Sequence, residues 1–173
     1  MAIPFRDVSE QDVAPGLAAF LRFLGEPGNK GVRGALFIVD GDGQPIEFTF
    51  SRVDVAAPFL WRSGEAARNA VAALTRILFN ATTQVPDLVI ALAEEVPASL
   101  FSDDLEVKVP LCRLGPSPSP DQSDGTPDFY WATPQPEEGT PARLVLQSLF
   151  SRGPIAEPFE RAAVGLNEAF GSG

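Results

Sequence analysis

The sequence predicts an α+β fold of mixed α/β character: a single sheet with a β-hairpin and packed helices. Three stretches predict it. In "ALFIVDGDGQPIEFTF", residues 35–50, an apolar run stops at Asp40, an Asp-Gly turn follows and an alternating run begins. In "SGEAARNAVAALTRILFNA", residues 63–81, apolar side chains recur at helical spacing. In "DLVIALA", residues 87–93, a short continuous apolar run follows Pro86, as in a strand covered on both faces.

The elements follow in chain order. Asp12 is suited to cap a helix, with Pro15 tolerated in its first turn. "GLAAFLRFLG" then places Leu17, Leu21 and Leu24 on one helical stripe, widened by Phe20 and Phe23, and Gly25 stops it. Ala35 to Val39 reads as a buried strand, and Ile46, Phe48 and Phe50 alternate with Glu47, Thr49 and Ser51 on a half-wet one. Ser63 is the expected cap of the long helix, and Glu65 suits its positive end. Ala67, Ala70, Val71, Leu74 and Leu78 form its buried stripe.

"ASLFSDDL" allows one helical turn. "EVKVPLCRL" reads as a strand whose Pro110 implies an edge or a bulge. Thr140-Pro141 opens a helix that Gly153-Pro154 breaks, and Pro158 opens a last one carrying Phe159, Ala163, Leu166 and Phe170 on one face. Three parts result: a core over 1–114, a Pro-, Ser- and Asp-rich flexible insert over 115–140, and C-terminal helices over 141–173 that pack on the core.

Composition narrows the chemistry. The chain has 173 residues, enough for one ordinary domain, and a net charge of −10 from 23 acids against 13 bases. That charge repels phosphate-rich partners unless the bases cluster, and in the sequence only "GNKGVRG" brings two together. Neither nucleic acid nor a membrane is expected as a partner. No secretory signal is visible, so a cytoplasmic location is expected. The single Cys112 forms no internal disulfide and reads as a buried inert thiol. There is no histidine, which removes Ser–His and Cys–His pairs and His metal ligands. No cofactor is expected.

Several motifs fail. Counted from Asp40, a calcium loop would need Gly at Pro45 and Glu at Ser51. Gly41 and Gly43 lead into a strand, so they do not form a dinucleotide fingerprint. "GEPGNKG" leads into a strand and has no Ser or Thr after Lys30, so it is not a P-loop. The plain reading of Asp40 and Asp42 is a hairpin turn, where Asp and Gly supply caps and positive φ, with Asp42 solvated.

The element order over Ala35 to Cys112, with strand, hairpin, strand near "FLW", helix and a strand ending near acids, resembles the ribonuclease H-like folds, although no motif is matched residue by residue. The resemblance implies a divalent-metal-dependent phosphodiesterase or nuclease in which Asp40, Glu65 and Glu94 or Glu95 hold two metals. Asp40 with Asp42 is the metal pair that the other reading of the Asp-Gly turn offers. A leading helix, hairpin, long helix, further strands and closing helix are also similar to roadblock-type, longin-related domains, which pair into scaffolding dimers.

The expectation drawn from the whole is a non-enzymatic binding or regulatory subunit that works through a protein partner or a homodimer. Its contact residues are the aromatics placed as if exposed: Phe20 and Phe23, Phe59 and Trp61 in "PFLW", and Phe129, Tyr130 and Trp131 in the insert. The last three are expected to dock as an added strand on the domain's own sheet edge. The metal-dependent nuclease is the alternative.

Overall fold

The computed structural model describes residues 16–55, 65–97, 99–101, 107–115 and 129–171. Its elements are β1 (Leu17–Gly25), a 3₁₀ turn (Pro27–Asn29), β2 (Gly31–Asp40), β3 (Pro45–Asp54), α1 (Glu65–Ala81), β4 (Leu88–Leu92), β5 (Leu111–Leu114), β6 (Phe129–Trp131), α2 (Pro141–Arg152) and α3 (Glu157–Phe170). The six strands form one mixed sheet in the order β3-β2-β1-β4-β5-β6. β1–β2, β2–β3 and β5–β6 are antiparallel, while β1–β4 and β4–β5 are parallel. The α+β class is as the sequence predicts.

The main departure lies in the first element. "LAAFLRFLG" is a strand at the centre of the sheet and not a helix. Its backbone is paired on both sides, with β2 along its whole length and with β4 over Ala18 to Leu21. A strand buried on both faces is apolar throughout, so its pattern matches a buried helix equally well. The expected cap, Asp12, and Pro15 lie outside the described residues.

Alternation along β1 divides the core in two. Ala19, Leu21 and Phe23 point to the α1 side, where they meet Leu36, Ile38, Leu74, Leu78 and Val89. Ala18 and Phe20 point to the other side, with Phe37, Val39, Ile90 and Cys112 of the sheet and Val145, Leu149 and Phe159 of α2 and α3. Phe20 meets Phe159 edge-on at 5.1 Å. α1 comes very close to the sheet because β2 has no side chain at Gly34. A Cβ there would lie 2.7 Å from Leu74 Cδ2.

Local chemistry explains the other elements. α1 keeps its 3.6-residue stripe and buries Ala70, Val71, Leu74 and Leu78, while Ser63 lies outside the described residues. β5 begins just past Pro110, whose carbonyl accepts from Val89 N at 2.9 Å. The proline therefore marks a strand start, where no ladder N–H is required, and not a bulge or an edge. The edge is β6, which the insert adds to β5 with Tyr130 opposite Arg113. β3 is the other edge, so Phe48 is only half-buried, and Ile46 and Phe50 are exposed.

Candidate functional site

The strand directions define two ends of the sheet. At one end, β2 finishes at Asp40, opposite Leu17 at the start of β1. At the other, β1 and the parallel β4 both finish, and Glu95 Oε2 accepts from Phe23 N at 3.0 Å. Leu17 and Phe23 are six residues apart along one strand, roughly 20 Å. Asp40 and Glu95 are therefore not one centre.

Asp40 belongs to the hairpin. Its Oδ1 accepts from Asp42 N and from Gln44 N, each at 2.9 Å, and its carbonyl accepts from Gly43 N at 2.9 Å. Gly43 has φ of 76°. Asp42 is not solvated alone, because it pairs with Arg152 at the end of α2. The turn reading accounts for the Asp40 contacts, while the pairing of Asp42 with Arg152 lies outside it.

Glu65 lies at the Glu95 end. α1 finishes beside Glu47, where Thr83 N and Gln84 N donate to that carboxylate at 2.8 and 2.9 Å. Glu47 is opposite Ile38, near the hairpin. The first residue of α1 is thus at the far end, together with exposed Glu94 and half-buried Glu95.

Arginines also gather there. Arg22 closes an ion pair with Glu95, with side chains 21% and 11% exposed, and its Nη1 donates to Phe23 O at 3.3 Å. Burial pulls the Arg22 pKa down, and the charge of Glu94 opposes that shift. Arg33 lies directly opposite Arg52 across β2 and β3, and Leu24 of β1 is level with both. Two facing cations repel, and Glu26 separates the charges. It binds Arg33 Nε at 3.1 Å, Arg52 Nε at 2.5 Å and Arg52 Nη2 at 2.6 Å. The Arg52 hydrogen bonds, and after them those of Arg33, hold the Glu26 carboxyl at about 2, well below the usual range.

By alternation with Phe20, Phe37 and Phe48, all three arginines point to the α3 face. Arg33 also donates to Gly171 O at 3.0 Å and stacks on Phe170, capping α3. Exposed Lys30 and half-buried Arg113 of β5 lie at the same end, Arg113 donating to Val96 O at 3.0 Å. The sequence brings together only Lys30 and Arg33, in "GNKGVRG"; the other bases of the cluster are scattered along it. The row depends on strand register.

A metal centre does not fit these donors. Among the described residues no three His, Cys, Asp or Glu side chains gather to hold a metal ion. Glu95 is already neutralised by Arg22, and a dication 4 Å from that guanidinium would be repelled by roughly 8 kcal/mol at an effective dielectric of 20. Cys112 is buried, and burial pushes its thiol up to about 12, so it is neither a nucleophile nor a ligand.

The aromatics proposed as contacts divide differently from expectation. Phe20 is fully buried and Phe23 nearly so, because they belong to a central strand. Phe59 and Trp61 lie outside the described residues. Phe129 and Trp131 are half-buried against the α2–α3 core, with Phe129 meeting Phe150 at 5.4 Å. Only Tyr130 stands out, at 47% exposure. Among the described residues no helix is long and apolar enough to cross a membrane.

No family model matches the chain, and no curated protein matches it. Among solved structures, an endonuclease V from Streptomyces avermitilis aligns over 60% of this chain and 46% of that one, at 11% identity and a TM-score of 0.44. An endonuclease V from Bacillus subtilis aligns over 89% of this chain and 80% of that one, at 14% identity and a TM-score of 0.56. The expectations of a non-enzymatic subunit working through protein contacts, and of no nucleic-acid partner, do not stand. The similar fold is that of a nuclease, and Phe20 and Phe23 are core residues.

Proposed function

We propose that this chain acts on nucleic acid as a protein of the nuclease class. Its working surface is the end of the sheet at which β1, β4 and β5 finish. The observation that carries the reading is the row of Arg22, Arg33 and Arg52 on one face at that end, in a fold similar to that of a nuclease. Guanidinium groups match phosphate geometry with paired N–H donors, and phosphate here displaces Glu95 from Arg22, Glu26 from Arg33 and Arg52, and Asp54 from Arg52. The overall charge of −10 opposes binding, so affinity depends on this local cluster and falls steeply with salt. Glu94, Glu95 and Glu65 lie at this end beside Glu26 and Asp54, which are held by Arg33 and Arg52, and Glu95 must leave Arg22 before it can take any other role.

The test is fluorescence anisotropy with labelled 20-nucleotide DNA and RNA at low salt, with the same mixtures run on denaturing gels in Mg²⁺ or Mn²⁺. Saturable binding that Arg22→Gln with Arg52→Gln weakens supports the reading. Strand shortening that Glu94→Gln with Glu95→Gln removes extends it to hydrolysis. Absence of binding at micromolar protein, with all strands intact, overturns it.

A further inference from the structure

Tyr130 is the feature that neither the core nor the hairpin explains. Its neighbours Phe129 and Trp131 turn into the α2–α3 core, so alternation aims Tyr130 at the opposite face. On that face α1 packs over β2 and β3. The Tyr130 ring is left 47% exposed. The guanidinium of Arg113, directly opposite on β5, lies 5.7 Å from the ring centroid. Arg113 is in turn held by Val96 O at 3.0 Å, and Val96 follows the Glu95 that pairs with Arg22. The turn at 93–97 thus joins the arginine row to the tyrosine.

Resting on the nucleic-acid reading above, we infer that Tyr130, backed by Arg113, is a stacking platform for an unpaired base. An aromatic face beside a cation is the combination by which proteins hold single strands. The arginine row is on the α3 face and Tyr130 on the α1 face, so a bound strand crosses the end of the sheet past residues 93–97. A single strand bends over such an edge, whereas a duplex is stiff and its bases are already stacked. The substrate is therefore single-stranded nucleic acid or an unpaired end.

The experiment compares a labelled single-stranded 20-mer with the matching blunt duplex, both in EDTA, by anisotropy. The full chain binds the single strand more tightly. Tyr130→Ala weakens single-strand binding about tenfold, within the range measured for loss of one base–aromatic stack, and changes duplex binding less than about twofold. Tyr130→Phe and Tyr130→Trp retain it, because the ring and not the hydroxyl does the stacking. The Phe and Trp variants also keep an aromatic on β6, so they separate stacking from folding. Equal loss in Tyr130→Ala and Tyr130→Phe, or no loss in either, overturns the platform while leaving nucleic-acid binding standing. No binding of either oligonucleotide overturns the platform together with the functional reading.

Discussion

Arg22 and Glu95 join the ends of β1 and the parallel strand beside it, and the same carboxylate accepts from the backbone N–H of Phe23. The pair ties the turn after β4 to the central strand. Each partner is largely covered, so removing either strands a charge in a place that water reaches poorly. Glu95→Gln should cost about 1–3 kcal/mol in urea melts, the range for a charged hydrogen bond left unmade. Arg22→Gln with Glu95→Gln should cost less than the sum of the two single changes. A cycle that adds without coupling would show that the pair is not formed in solution.

Glu26 bridges Arg33 and Arg52 with its carboxyl at about 2, below the ordinary value near 4.5. A depressed carboxyl contributes stability that is present above its unfolded pKa and is lost as pH falls through its folded one. Glu26→Gln should therefore lower Tm at pH 7, and the gap to the unmodified chain should narrow between pH 4.5 and 2. Thermal melts across that window check it. A gap that holds constant down to pH 2 contradicts the bridge.

Asp40 accepts two backbone N–H groups in the hairpin, whereas Asp42 makes a surface pair with Arg152. Asp40→Ala should cost about 1–2 kcal/mol, the scale of a lost side-chain cap. Asp42→Asn should cost under about 1 kcal/mol, as exposed pairs do. Millimolar Mg²⁺, Mn²⁺ or Ca²⁺ added to the protein alone should leave Tm unchanged, since a native-state metal site would raise it by mass action. A metal-dependent rise that Asp40→Asn removes would restore the metal reading of this turn.

Gly34 allows α1 to sit close on β2, and a methyl there would press on Leu74 Cδ2 at 2.7 Å. Gly34→Ala should destabilise the chain by about 1–3 kcal/mol through overpacking, although alanine ordinarily suits a strand better than glycine. Gly34→Ala with Leu74→Val, which withdraws a methylene, should recover part of the loss. Chemical denaturation of both variants measures it.

Sequence alone determined the elements whose signal is local. The hairpin was legible because an Asp-Gly turn and period-2 alternation need no distant partner. α1 was legible because its stripe keeps the 3.6-residue period over 17 residues. α2 and α3 were legible from their prolines and apolar faces. The fold class followed from these, whereas for "FYW" the sequence left two destinations open, the domain's own sheet edge or a partner, and the structure pairs it with β5.

Tertiary structure decided the rest. "LAAFLRFLG" fits a helix or a strand equally, and what makes it β1 is hydrogen bonding to partners 7 to 23 residues away on β2 and about 70 residues away on β4. That one reassignment moves Phe20 and Phe23 from a surface to the core. It also separates Asp40 from Glu95, because β1 runs antiparallel to β2 but parallel to β4. The same register brings Arg22, Arg33 and Arg52 together from three strands. Side-chain charge is written in the sequence, but which charges meet depends on the direction and pairing of strands, and these are settled only when the whole sheet closes on its two layers of helices.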